Sequence, residues 1–157
     1  MTETPRSLAE KLSSEGERLA QFFSAMTEEQ WRTEVYTEGS VWTIRNILAH
    51  LMTAERAFVK LFESIRQGGT GTSEDFSIDR YNARQQEKTR ELAPPQLLEA
   101  YRAIRAEMVA WVSKLEQADL EKSGRHPYLG QTTLLEMIKM IYLHNQIHYR
   151  DMRRALR

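Results

Sequence analysis

Two histidines, His144 and His148, lie four residues apart in LHNQIHYRDM near the end of the chain. On a helix this spacing places both imidazoles on one face, about 5–6 Å apart at Cβ, so that both rings can reach one ion. The stripe that contains them also includes Met137, Ile141 and Met152, which indicates that it faces the protein interior. The pair therefore predicts either a buried metal site or two core histidines that hydrogen bond to backbone carbonyls.

A third histidine, His50, lies in NILAHLMTAE, beside Ile47 and Ala54 on the apolar stripe of another predicted helix. Three neutral imidazoles fill only part of the coordination sphere of an ion and leave a position open for water or substrate, as catalytic metal sites do. Imidazole ligands suit zinc and nickel among the divalent ions. The sequence thus offers His50, His144 and His148 as candidate ligands of one ion.

Two carboxylates and a group of arginines accompany these histidines. Asp151 follows His148 by three residues and could orient its ring, although a surface ion pair with an arginine is the favoured interpretation. Glu55 could act as a general base, but its offset from His50 along the helix argues against that role. The arginines stabilise the end of the last helix through its dipole, with contact to an anionic substrate as the alternative; they are Arg150, Arg153, Arg154 and Arg157.

Four long amphipathic helices must position these residues. Threonines suited to N-capping precede the helical segments, and apolar residues recur along each at helical spacing. The helices are predicted from Pro5 to about Met26, from Ile44 to about Gln67, from Ile78 to about Gln117 with a break at Pro94-Pro95, and from Leu134 to the C-terminus. A single extra turn is predicted from the capping box that begins at Thr27.

The connections are predicted as loops. Residues 68–77, GGTGTSEDFS, favour a solvated crossover over an active-site lid, and residues 118–132 form a second loop in which we expect His126 at the surface. No segment shows the alternation typical of a strand, and the Glu-x-x-His pairs of di-iron bundles do not occur. The sequence therefore predicts an all-α four-helix bundle with long crossover loops, in a single domain spanning residues 1–157.

The composition excludes several other classes of protein. The 157 residues carry 22 Lys+Arg and 22 Asp+Glu, and this zero net charge leads us to expect no nucleic-acid partner. The absence of cysteine excludes disulfides and cysteine-ligated zinc and fits the reducing cytoplasm. No apolar run approaches the roughly 18 residues of a membrane span, and the N-terminus lacks a signal core. We therefore expect a cytoplasmic protein without a membrane partner.

The order of these motifs resembles the DinB-like damage-inducible family. The resemblance rests on Trp42 before the capping Thr43, on the Ile-Leu-Ala-His-Leu run that contains His50, and on the closing His-x-x-x-His pair. It implies a four-helix bundle in which His50, His144 and His148 bind one divalent metal, zinc or nickel. Many relatives continue the last motif as His-Arg-Gly-Gln, whereas this chain reads His-Tyr-Arg-Asp, so the resemblance does not extend to a substrate.

The resemblance also implies a range of functions. Thiol transfer to a small-molecule electrophile is one, with the metal presenting a low-molecular-weight thiol as thiolate, and hydrolysis by a metal-bound water is another. A non-catalytic metal-binding stress or accessory protein remains an alternative, as does a helical dimerisation module with structural histidines. A homodimer is expected, mainly from the resemblance and partly from the many aromatic and Met residues.

Overall fold

The computed structural model describes residues 2–157 as six α-helices and two short β-hairpins. The helices are α1 (Pro5–Ser24), α2 (Glu28–Trp31), α3 (Ile44–Arg66), α4 (Ile78–Lys88), α5 (Pro94–Ser113) and α6 (Leu134–Ala155). The strands are β1 (Glu34–Tyr36), β2 (Trp42–Thr43), β3 (Ser123–His126) and β4 (Gly130–Thr133), and a 3₁₀ turn spans Gln117–Glu121. Helices α5 and α6 each pack against both α1 and α3, so the four long helices form the predicted four-helix bundle.

Three of the four long helices, α1, α3 and α6, begin at their predicted caps. The side chain of Thr4 accepts from the amide of Ser7 at the start of α1, and Thr43 accepts from Asn46 at the start of α3. Thr133 accepts in the same way from the amide of Glu136 at the start of α6. Each of these bonds satisfies an amide that the helix cannot pair internally, which explains why the boundaries could be read from the sequence.

Two segments in which the sequence shows no strand pattern form short two-stranded antiparallel hairpins. β1 pairs with β2 and β3 pairs with β4, and with two to four residues each these strands are too short to show an alternating pattern. The second strand of each hairpin ends on a helix cap: β2 ends at Thr43 and β4 at Thr133. The hairpins therefore fix how the chain enters α3 and α6, the two helices that carry the predicted metal ligands.

The third helical region is two helices rather than one helix broken at Pro94. Helix α4 ends at Lys88, the next residues form a turn, and Pro94 is the first residue of α5. Proline is favourable at this position because the first residue of a helix needs no hydrogen-bonded amide. The two prolines thus begin a helix, and α5 ends at Ser113, before the predicted end near Gln117.

Two apolar cores lie along the bundle, separated by a layer of polar residues. One core surrounds Phe62 and Met108, and the other surrounds Phe23 and Tyr101. Full burial of one such side chain contributes roughly 1.5–3 kcal/mol to stability. The two cores therefore supply most of the stability of the bundle, and the layer between them is free to be polar.

The crossover between α3 and α4 is held against the β3–β4 hairpin. The amide of Thr72 donates to the carbonyl of Arg125 (2.8 Å), and the amide of Arg125 donates to the carbonyl of Thr70 (2.9 Å). Gly71, between them, has a φ of +95°, and a Cβ there would clash with the backbone of Arg125. This close approach fixes the crossover beside the hairpin, where it forms one wall of a cavity.

Candidate metal centre

The structure brings together the three histidines that the sequence singled out. Nε2 of His144 lies 2.9 Å from Nε2 of His148 on the same helix and 3.5 Å from Nε2 of His50 on α3. One ring nitrogen of each residue lies within 4.8 Å of the other two. The proximity of His144 and His148 could be predicted from their spacing, because they lie about one turn apart on α6. His50 reaches them only because α3 and α6 pack side by side.

A chain of hydrogen bonds orients the ring of His148. The hydroxyl of Tyr36 donates to Oδ2 of Asp151 (2.6 Å), so its oxygen is left to accept from Nδ1 of His148 (2.8 Å). The Nδ1 nitrogen therefore carries the proton, and the lone pair is on Nε2, facing the other imidazoles. Burial and the bond to Asp151 raise the pKa of Tyr36 above its usual value, which keeps the phenol protonated.

Asp151 thus makes both of the contacts considered from the sequence. It reaches His148 through Tyr36, and its other oxygen accepts from the exposed Arg150 (3.2 Å). Of the other C-terminal arginines, Arg153 lies over the ring of Tyr149. Tyr36 itself was missed, because it lies on the short strand β1, far from His148 in the sequence, and carries no local signal.

Burial keeps all three imidazoles neutral. It lowers the pKa of His50 to about 3, of His144 to about 4 and of His148 to about 2, and for His50 and His148 the neighbouring imidazoles lower it further. Only the neutral ring has the lone pair that binds a metal. The cluster is therefore ready to bind a cation at neutral pH without first losing protons.

The donor set fits a divalent metal. Two nitrogens bound to a tetrahedral zinc at about 2.0–2.1 Å lie roughly 3.3–3.4 Å apart, and the two Nε2 separations of 2.9 and 3.5 Å lie on either side of that value. Nδ1 of His50 faces away from this point, is buried and makes no hydrogen bond within the described part of the chain. Trp42 packs against the same ring, with centroids 5.0 Å apart, and so fixes its position.

Glu55 lies one turn further along α3 but is fully used elsewhere. Its two oxygens accept from Nε and Nη2 of Arg105, each at 2.7 Å, and both side chains are buried. Nη1 of Arg105 donates to the carbonyl of Leu12, and Asn145, with its amide oxygen turned toward Arg105, accepts from Nη2. This ion pair forms the polar layer between the two cores, and the bidentate bond to Arg105 stabilises the Glu55 carboxylate in its charged form and disfavours a role as general base.

A cavity of about 300 Å³ opens beside the histidines. Its walls come from α3, the crossover, α4, the β3–β4 turn and α6, and most of them are apolar or aromatic. They include Leu51, Phe58, Leu61, Phe76, Ile78, Tyr81, Tyr128, Met140 and Ile141, together with His50, Asn82, His126 and His144. Phe76 and Tyr128 are partly exposed and lie at the mouth. The crossover predicted as a solvated loop therefore lines the cavity.

The prediction that His126 lies at the surface is wrong. Its side chain is 2% exposed, and its ring stacks on Phe58 with centroids 5.1 Å apart. His126 was expected at the surface because residues 118–132 were predicted as a loop. Instead β3 and β4 pair and fold this segment back over the bundle, and no local sequence pattern indicates that pairing. His126 is thus a wall residue of the cavity rather than a solvated one.

A family model described as the DinB superfamily matches residues 11–152. The chain belongs to the DinB superfamily. The resemblance found in the sequence is thereby confirmed, as is the four-helix bundle. A comparison with curated proteins finds no match.

Solved structures share this fold at low sequence identity. An uncharacterised protein from Escherichia coli UTI89 aligns with a TM-score of 0.77 at 15% identity, covering 99% of this chain and 94% of its own. YfiT from Bacillus subtilis, described as a probable metal-dependent hydrolase with an unusual four-helix bundle topology, aligns at 0.77 and 18%, covering 96% and 85%. The colibactin self-resistance protein ClbS aligns at 0.78 and 12%, covering 100% and 98%.

The expectation of no nucleic-acid partner is corrected by the last of these structures. ClbS was crystallised in complex with double-stranded DNA, and it has the same fold as this DinB superfamily member. A balanced net charge averages over the whole surface and therefore does not exclude nucleic acid for this fold.

Among residues 2–157, no helix has the length and apolar character required to cross a membrane.

Proposed function

We propose that this protein is a metal-dependent hydrolase in which His50, His144 and His148 bind one divalent ion. The observation that carries the proposal is the convergence of three neutral imidazole nitrogens beside a cavity of about 300 Å³. A metal held by three imidazoles retains an open position and lowers the pKa of a bound water, which supplies the nucleophile at neutral pH. The description of YfiT as a probable metal-dependent hydrolase supports the same class of reaction.

The protein side chains contribute orientation and exclusion of water. Tyr36 and Asp151 hold His148 in the tautomer whose Nε2 is free to bind, and they act as positioning residues. Trp42 holds the ring of His50. The apolar walls of the cavity place a substrate against His50 and His144 and keep bulk water from it.

Hydrolysis is favoured over thiol transfer by the charge of the cavity walls. A cellular thiol with charged groups needs counter-charges to replace the water that it loses on binding. Among the described residues that line the cavity, Glu55 is the one with a charged side chain, and both of its oxygens accept hydrogen bonds from Arg105. Water as the nucleophile makes no such demand, so it suits this cavity better.

The proposal is tested by hydrolysis of neutral aromatic esters by the zinc-loaded protein. We expect turnover in the wild type and in Ile147→Ala, a control on the exposed side of α6. We expect none in the His144→Ala/His148→Ala double variant, with helix content unchanged. Turnover of equal rate in the double variant would contradict a metal mechanism. Stoichiometric zinc binding without turnover of any ester would favour the alternative of a non-catalytic metal-binding protein.

A further inference from the structure

His126 is held in one tautomer by the turn that follows it. The backbone amides of Tyr128 and Leu129 both donate to Nδ1 of His126, at 3.0 and 3.1 Å. Because Nδ1 must accept both bonds, it carries the lone pair, and the proton of the neutral ring is on Nε2. Burial lowers the pKa of His126 to about 4, so the ring is neutral at pH 7. Nε2 is therefore a fixed hydrogen-bond donor.

This donor has no acceptor among residues 2–157. Nε2 of His126 is buried and makes no hydrogen bond with them, although the ring forms part of the cavity wall. Buried donors without a partner are rare, because each costs about 1–3 kcal/mol of lost hydration. The tautomer also excludes His126 as a fourth metal ligand, since its Nε2 has no free lone pair. Nε2 of His126 can therefore donate a hydrogen bond to an acceptor atom of a bound molecule.

The remaining walls define the chemistry of that molecule. Phe58, Leu61 and Met140 present apolar surface, and the hydroxyl of Tyr81 is already bonded to the carbonyl of Thr53. With Glu55 paired to Arg105, the described wall offers no free charge to balance a charged ligand. A volume of about 300 Å³ is at the lower end of the usual range for small-molecule pockets.

We propose that the cavity binds a small, neutral, largely apolar molecule whose carbonyl-type oxygen accepts a hydrogen bond from Nε2 of His126. The role of this molecule rests on the proposed function: in a hydrolase, it is the substrate. His126 then contacts the substrate oxygen in the cavity that His50 and His144 also line. A neutral carbonyl compound such as an ester or amide with an aromatic or aliphatic body is the class that fits.

The binding site is tested with a matched pair of probes, 1-indanone and indane, which differ by one carbonyl oxygen. Their affinities for the protein are measured by nuclear magnetic resonance titration, first without metal and then with one equivalent of zinc. We expect the wild type to bind 1-indanone about 10-fold more tightly than indane, as one buried hydrogen bond predicts. Equal affinities, or no binding of either probe, would overturn the proposal.

Two substitutions of His126 separate ligand binding from a structural role. His126→Gln keeps a donor near the position of Nε2 but loses the acceptor for the turn amides, whereas His126→Asn keeps the acceptor and loses the distant donor. We expect His126→Gln to retain most of the preference for 1-indanone and His126→Asn to lose it. Two outcomes would assign His126 to the turn alone. In one, His126→Gln loses the preference and His126→Asn retains it. In the other, both variants lose it.

The same titrations distinguish this inference from the proposed function. The His144→Ala/His148→Ala variant removes the metal ligands and leaves His126 and the apolar walls in place. Ketone preference in that variant, together with a failure of the wild type to bind zinc, would reject the metal centre and keep the binding site. Zinc binding without any ketone preference would reject the binding site and keep the metal centre.

Discussion

Two buried polar clusters lie next to each other on α3 and α6, and they are built in opposite ways. Glu55 and Asn145 bond to Arg105 of α5, so that every charge in this cluster has a partner. About one turn away, ring nitrogens of His50, His144 and His148 face one another, and Nδ1 of His50 makes no hydrogen bond with residues 2–157. The ion-pair residues and His50 are buried, whereas His144 and His148 are only partly so. The two clusters also differ in whether the protein itself satisfies their hydrogen bonds.

The difference shows which kind of buried polarity indicates function. An ion pair whose hydrogen bonds are all made within the chain connects helices and needs nothing from outside. Gly16 of α1 makes room for it, because a Cβ there would lie 2.6 Å from Cγ of Arg105. Three imidazole nitrogens that face mainly one another form a donor set that a divalent cation can bind. We therefore expect the first cluster to affect folding and the second to affect binding.

The largest expected effect is on the ion pair. Arg105→Ala leaves the carboxylate of Glu55 buried and unpaired, and we expect the free energy of unfolding to fall by about 3–5 kcal/mol. Urea denaturation measures this loss. The double variant Glu55→Leu/Arg105→Leu removes both charges and is expected to recover most of the stability. A loss below about 1 kcal/mol in Arg105→Ala would show that the pair is not a structural connection.

The histidine cluster should show the reverse behaviour. His148→Ala removes one of three proposed ligands, and we expect zinc affinity to fall more than about 100-fold, or roughly 3 kcal/mol. The free energy of unfolding of the metal-free protein should change by no more than about 2 kcal/mol, because the two apolar cores are untouched. Calorimetric zinc titration and urea denaturation give the two values, with Ile147→Ala as the control. Unchanged zinc affinity would remove His148 from the site.

The orienting chain gives a smaller effect on the same property. Tyr36→Phe removes the oxygen that accepts from His148 and donates to Asp151, and we expect zinc affinity to fall about 10–100-fold. Arg150→Ala, which removes the exposed partner of Asp151, is the matched control and should leave the affinity unchanged. Equal effects of the two substitutions would show that Asp151 acts only as a surface ion pair.

The smallest effect is the contribution of a single histidine to the pH dependence of stability in the metal-free protein. The three histidines have folded pKa values of about 2–4, below the roughly 6.5 of an unfolded chain. Below pH 6.5 the unfolded chain binds protons that the folded cluster does not, so the free energy of unfolding falls as the pH is lowered toward 4. His148→Ala should reduce this slope by up to about 1.4 kcal/mol per pH unit. Urea denaturation between pH 7 and pH 4.5 measures both slopes, and identical slopes would contradict the buried neutral state of His148.

The features that the sequence predicts correctly are those set by neighbours along the chain. The caps at Thr4, Thr43 and Thr133 are satisfied by amides three residues on, so they could be identified without a structure. The spacing of His144 and His148 is local in the same way, and their shared face follows from helical geometry.

The features that it misses depend on contacts across the fold. Tyr36 meets His148 only because the β1–β2 hairpin lies against α6, and His126 is buried only because β3 and β4 pair. The partner of Glu55 lies on α5, where a buried arginine has no sequence signal that separates it from a solvated one. The homodimer and the identity of the metal stay predictions.

X-ray absorption spectroscopy at the zinc edge, on protein purified without a histidine tag and loaded with one equivalent, tests the central claim most directly. We predict about three imidazole nitrogens at about 2.0–2.1 Å from the metal, with the fourth position taken by an oxygen of solvent. The multiple scattering of the imidazole rings should fall by one third in His50→Ala and in His148→Ala alike. A zinc environment of oxygen ligands with no imidazole scattering would contradict the three-histidine centre.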